Sequence, residues 1–350
     1  SQSNMEFAMP AVANKTVWRQ RANAYPQLRF FSVDHATQSA TPLRDLKTVW
    51  EPWLASSNTT VWRDWAPGHT LFSTVSAVCY LFGAALSDAL GPGVPIGLIS
   101  DNWGGTKVEV WVPSTAYDRC ERTGPDGPMW NSMVLPYAEG PMALSGGLFY
   151  QGEANTENST TAAEYACLFP QMVEAWRAAL GDPARFFAFV QLSTWCSVEP
   201  ASLPQMREAQ MAALDLPNVA YATNADHGDG CNIHPPEKQW VAARLANAAL
   251  AINYKRDVPW RSPTYRAARP AAAAAGSSTF LMRSTRTCDG EAMHHSMCGE
   301  SDVRAARHAS KPSLRQVWLS DGTNLGLLIC TSTSTSPPTV PPCRAASSAK

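Results

Sequence analysis

The sequence predicts an α/β protein, a parallel sheet with helices on both faces. Three observations predict it. Short apolar runs recur between residues 94 and 223, amphipathic stretches of helical length separate them, and glycine or proline marks their ends. Strands joined by such helices pair in parallel, because a parallel neighbour needs a crossover and the crossover covers a face. Ligands in such sheets bind beyond the strands' carboxyl ends, so the residues that follow strands are weighed first.

Leu28–Val33 reads as a strand in an otherwise less regular stretch, 11–70. Residues 73–90 place Val75, Val78, Cys79, Phe82, Leu86 and Ala89 at helical spacing, with Ser73 as cap and Gly91-Pro92-Gly93 as stop. Residues 94–100 form a short buried strand that ends in the turn Asn102-Trp103-Gly104-Gly105. Gly147–Tyr150 is a second strand and runs into Gln151-Gly152-Glu153. A helix over 161–180 carries Tyr165, Leu168, Phe169, Met172, Val173 and Trp176 on one stripe, with Gly181 past its end. Phe186–Leu192 and Val219–Thr223 are strands, with a helix over 204–214 between them and a last helix over 236–253.

Residues 1–267 therefore read as one domain. From 268 the composition shifts to an alanine run, a Ser/Thr/Pro-rich stretch and four of the nine cysteines, which predicts an irregular, disordered tail without chemistry. Charge narrows the function classes. With 28 Lys+Arg against 29 Asp+Glu, the chain has no field suited to nucleic acid. No apolar run reaches the roughly 20 residues that span a bilayer. The nine cysteines contain no CxxC pair, which argues against a zinc ribbon. Cys288, His294, His295 and Cys298 make a poor metal cluster, since adjacent histidines point apart in extended chain.

Three places have groups suited to acyl transfer. They are Ser3 in Ser1-Gln2-Ser3-Asn4-Met5, the Gly104-Gly105 turn, and His234 in Asn232-Ile233-His234-Pro235. Serine needs a base to become nucleophilic, histidine supplies one, and free backbone N–H groups of a glycine turn hold an oxyanion. Each alone has a bland reading: a solvated terminal serine, a tight turn, a loop histidine.

Five blocks in order change the weighing. Residues 1–6, 76–86, 95–111, 149–155 (Phe-Tyr-Gln-Gly-Glu-Ala-Asn) and 232–239 resemble the motifs of the sialate O-acetylesterases, carbohydrate esterases of the SGNH (GDSL-type) hydrolase class. The resemblance implies a three-layer, flavodoxin-like sheet and removal of O-acetyl groups from carbohydrates, O-acetylated sialic acids first and acetylxylan as the competing substrate. It implies Ser3 as nucleophile, His234 as base and then acid, and an oxyanion hole from the N–H groups of Ser3 and Gly104. A side-chain amide completes that hole, with Gln151 ahead of Asn155. No metal or organic cofactor is implied. With the three sequons at Asn14, Asn58 and Asn158, it implies a secreted or lysosomal route.

Two departures stand out. Many SGNH hydrolases carry Asp three residues before the histidine, and Cys231 stands there. Glu153 is the first choice for the third triad member, with Asp229 and Asp226 as alternatives and a non-catalytic carbohydrate-binding relative as the rival function. Only Ser1 and Gln2 precede Ser3, which predicts an incomplete N-terminus, a missing central strand and a nucleophile on a free end. Among thirteen tryptophans, Trp103 beside the glycine turn is the one placed to stack on a sugar. His227 reads as structural or substrate-adjacent.

Overall fold

The computed structural model describes residues 1–35, 38–47, 49–62, 72, 75–140, 143–197, 199 and 201–261, and five strands beyond them. The chain divides into two compact units, Ser1–Trp260 and Arg261–Lys350.

The first unit opens with the short helices α1 (Ser3–Glu6) and α2 (Lys15–Arg21). Then come β1 (Leu28–Val33), β2 (Val49–Ala55), α3 (Ala77–Leu90) and β3 (Ile96–Ser100). Strand β1 pairs in parallel with β3, Leu28 opposite Ile96, and antiparallel with β2. After α4 (Ser114–Asp118) and α5 (Leu135–Glu139), the strands β4 (Gly146–Phe149), β5 (Phe186–Gln191) and β6 (Val219–Thr223) form a second sheet. It is wholly parallel, with Leu148 opposite Ala188 and Ala188 opposite Ala220. Its helices are α6 (Ser159–Ala179), α7 (Ser202–Met211) and α8 (Lys238–Ile252).

Helix α3 packs on β1 and β3, α8 packs on β5 and β6, and α3 and α8 pack on each other. One helical layer thus spans both sheets. On the other side α6 and α7 pair, Phe169 of α6 stacks on Phe149, and Trp176 meets Phe149 and Phe187 edge-on, as Phe169 meets Phe187. β5 is buried almost throughout, as its continuous apolar run requires. Between β3 and β4, which do not pair, lies a cavity of about 610 Å³ lined by Phe82, Ile96, Leu98, Gly146, Leu148 and Phe187.

The caps refine the helix limits. α3 starts at the Ser76 cap, whose hydroxyl accepts the Cys79 N–H at 3.2 Å; Ser73 lies outside the described residues. α6 is capped by Asn158, which accepts from Thr161 N–H at 3.0 Å. Asn158→Ala is expected to cost about 1 kcal/mol, read from denaturant unfolding. Strand β2 escapes the sequence reading because Glu51 and Pro52 interrupt its apolar pattern. Disulfides join Cys120 to Cys167 and Cys196 to Cys231, while Cys79 is a buried thiol whose pKa burial pushes up to about 11.

In the second unit, β7 (Thr264–Pro270), β8 (Thr279–Thr285), β9 (Ser301–Arg307), β10 (Arg315–Ser320) and β11 (Leu327–Thr331) form an antiparallel sheet in the order β11-β10-β9-β8-β7. These strands occupy part of the segment whose composition predicts a disordered tail. Apolar runs such as Val317-Trp318-Leu319 within Arg315–Ser320 are too short to stand out against the alanine and Ser/Thr/Pro runs. His294 and His295 lie outside the described residues.

Candidate active site

The segment bearing Ser3 is tied down at the point where the two sheets meet. The Ser1 hydroxyl donates to Tyr150 O at 2.6 Å and accepts the Tyr150 N–H at 2.9 Å. On the other side the Trp103 N–H donates to Ser1 O at 2.7 Å. Residues 1–2 therefore bridge the carboxyl ends of β4 and β3, and the expected free end is corrected. Ser3 is 8% exposed and opens α1. Met5 and Glu6 both donate to Gln2 O, which leaves the Ser3 N–H ahead of the first intrahelical bond.

His234 arrives on the loop between β6 and α8, and its Nε2 lies 2.8 Å from Ser3 Oγ. The Phe72 ring meets the imidazole edge-on at 5.3 Å. Burial, then the Lys238 charge, pushes the His234 pKa down to about 4. At neutral pH the ring is an uncharged base in contact with a hydroxyl. Both side chains face a cavity of about 560 Å³ that Glu153, Trp103, Glu6 and His35 also line.

Of the three carboxylates considered for the triad, only Glu153 lines this cavity. Asp226 is engaged by Arg244 in a two-pronged ion pair at 2.7 and 2.6 Å. Asp229 accepts from Asn232 at 3.0 Å within an exposed turn. Glu153 accepts from Asn4 Nδ2 at 2.5 Å, and its second oxygen, Oε2, has no hydrogen-bond partner among the described residues. Asn4 also donates to Ile233 O at 2.8 Å and accepts from Lys238 Nζ at 2.5 Å. Asn4 thus links the nucleophile segment, the carboxylate, the His234 loop and α8. Burial pushes Glu153 up to about 7 and Lys238 down to about 7. Lys238 is wholly buried, its ammonium 4.6 Å from the centre of the Phe7 ring.

The expected oxyanion amides are placed elsewhere. Gln151 is fully buried and donates to Thr106 O and Asn155 Oδ1. Asn155 donates to Glu109 and accepts the Val108 N–H. Neither lines the cavity, because both side chains turn inward to hold the 106–111 segment. Gly104 lies against Ser3, but its N–H donates to Glu6 Oε2 at 2.6 Å. A Cβ at Gly104 would come within 2.9 Å of that oxygen and 3.4 Å of Ser3 Cβ, so a side chain there would push the Glu6 carboxylate aside.

Asn4, Glu6, His35 and Lys238 are the site residues that sequence reasoning misses. His35 stacks on Trp103 at 4.3 Å, and its Nε2 lies 3.5 Å from Glu6. The only signal for Asn4 and Glu6 is their place beside Ser3. Lys238, four residues past His234, reads as an ordinary helix-surface lysine. His227 stacks on Trp240 at 4.8 Å and faces Asp226 and Glu237, outside the cavity. Trp62 and Trp111 are core, Trp53 is 44% exposed, and Trp65 lies outside the described residues. Among the described residues no cluster of His, Cys, Asp and Glu fits a metal ion, and no helix is long and apolar enough to cross a membrane.

A parallel-sheet α/β fold with a serine and a histidine joined beyond the strand ends defines a hydrolase architecture of the SGNH class. The fold is similar to the solved structure of a carbohydrate acetylesterase from Xanthomonas citri, with TM-score 0.68 and 24% identity, over 94% of this chain and 76% of that one. The chain belongs to the family described as carbohydrate esterase, sialic acid-specific acetylesterase, whose model matches residues 2–251. Curated relatives are the sialate O-acetylesterases of Pongo abelii (35% identical) and Homo sapiens (34%), each aligned over 72% of this chain and 52% of the relative. The chain thus spans about half the length of these relatives.

Proposed function

We propose that this chain is a serine esterase that removes O-acetyl groups from carbohydrates, with O-acetylated sialic acid as the substrate. The observation that carries the proposal is the 2.8 Å contact between Ser3 Oγ and an uncharged His234. Membership of the family and the names of its relatives support the substrate.

In this reading His234 Nε2 takes the Ser3 proton as Oγ attacks the acetyl carbonyl. The tetrahedral oxyanion forms against the Ser3 N–H at the start of α1, where the helix end favours negative charge. The Gly104 N–H joins it when the Glu6 carboxylate yields that donor. Protonated His234 then returns its proton to the leaving sugar oxygen. Water, deprotonated by the same ring, releases acetate from acetyl-Ser3. Glu153 supplies the negative charge that favours imidazolium and holds the His234 loop through Asn4. The Trp103–His35 stack offers an apolar face to the sugar. The two disulfides fit an oxidising compartment, and a secreted or lysosomal route belongs to the same proposal.

Acetate release from O-acetylated sialic acid, measured beside acetylated xylan, tests the reading. Faster release from the sialic acid is expected. Binding of either sugar without acetate release would instead favour a carbohydrate-binding relative. The pH profile follows from the site. His234 stays a base down to about pH 4, so the acid limb belongs to Glu153, which loses its charge as pH falls through about 7. The expected kcat/KM is flat above that value and declines with unit slope below it.

A further inference from the structure

We infer that the Cys196–Cys231 disulfide is a positioning element for His234: an accessible cross-link that aligns the base, and whose reduction switches turnover down. The inference rests on the esterase reading above.

The loop after β6 has three kinds of anchor. At its start the Asn224 N–H donates to Gln191 O at 3.0 Å, so it leaves the sheet beside the loop after β5. At its end Ile233 O accepts from Asn4, and Pro236 O accepts the Ala13 N–H at 3.0 Å. Between these lies the stretch that sets the approach of His234 to Ser3. There the β5 and β6 loops are pressed together: a Cβ on Gly228 would collide with Thr194. The disulfide locks that contact, bringing the Cα atoms of Cys196 and Cys231 to 4.5 Å across 35 residues of sequence.

From Cys231 the path to the base is short and stiff. The Asn232 N–H donates to Asp229 O at 2.9 Å, and Asn232 Oδ1 accepts the His234 N–H at 3.0 Å. Asn232 is thus fixed from both sides, and motion of Cys231 passes to the His234 backbone three residues further on. No carboxylate stands at position 231 to orient the ring, so a covalent tether holds its loop there instead. Losing the tether leaves the loop after β6 held only at its two ends, and displacement of a catalytic group by about 1 Å can cost 100-fold. Both cysteines are exposed, so a small dithiol reaches them. A dithiothreitol thiolate attacks one sulfur and forms a mixed disulfide. Its second thiol then closes the cyclic disulfide and releases Cys196 and Cys231 as two thiols. Oxidised glutathione reverses the two-electron change.

The test separates this bridge from Cys120–Cys167, which joins the end of α4 to α6 away from the cavity. In Cys120→Ser/Cys167→Ser protein, dithiothreitol is expected to lower kcat on p-nitrophenyl acetate by about 10- to 100-fold with KM little changed. Oxidised glutathione should restore it, and Cys196→Ser/Cys231→Ser should show the low kcat without reductant. A uniform loss of structure would move KM and the melting curve as well. Unchanged kcat on reduction, shown complete by thiol titration, overturns the inference. A second readout needs no turnover: the His234 ring resonances, assigned with His234→Asn, should shift on reduction, and unmoved resonances overturn the inference equally. If the oxidised parent has no Ser3-dependent activity, the esterase reading fails, and the resonances alone decide whether the tether positions His234.

Discussion

Ser3→Ala is expected to abolish release of p-nitrophenol from p-nitrophenyl acetate, by as much as about a millionfold in kcat, and His234→Ala to do nearly the same. The serine hydroxyl is unreactive until its proton has somewhere to go, and the only base within hydrogen-bond reach of Oγ among the described residues is His234 Nε2 at 2.8 Å. The two groups act as one unit. The Ser3→Ala/His234→Ala protein is therefore expected to lose no more than either single variant. Folding should survive, since Ser3→Ala removes one oxygen and leaves the Gln2–Tyr150 and Ser1–Tyr150 bonds that anchor the segment. Substantial turnover in folded Ser3→Ala protein would rule out the proposed mechanism.

Glu153→Gln is expected to lower kcat by about 100- to 10,000-fold, while Asp226→Asn and Asp229→Asn stay near the parent. The ranking follows from where the charges lie. Asp226 is neutralised by Arg244, and Asp229 serves a turn that asparagine also supports. Glu153 lines the cavity, and it reaches the His234 loop through Asn4. Glutamine keeps the shape and an oxygen for Asn4, so the loss would report charge. The variant should also lose the acid limb near pH 7 and retain one near 4, where His234 itself gains a proton. Lys238 titrates in the same range as Glu153, so a limb near 7 that persists in Glu153→Gln would assign it to the lysine. The reverse ranking of the three variants would make an aspartate the acid.

Asn4 shows why part of this site is hidden in the chain. It sits next to Ser3, yet its partners are Glu153, Ile233 and Lys238, up to 234 residues away. Position in a motif says that such a residue is near the chemistry and says nothing of which atoms it meets. Gln151 and Asn155 show the reverse. Both are amides just past a strand end, the right place for an oxyanion donor, but burial on the far side of the turn engages them with Thr106, Val108 and Glu109.

Local pattern by itself determined the alternation of strands and helices, the limits of β1 and β6, and the blocks that contain Ser3, Gly104, Glu153 and His234. Those features depend on side-chain periodicity, which is written into neighbouring residues. Only the tertiary structure decided that the Gly104 N–H is taken by Glu6, that Cys196 pairs with Cys231, and that Glu153 rather than Asp226 or Asp229 faces the cavity. Each of these depends on side-chain direction and on contacts between distant segments, and the packing of one sheet end against the next sets both.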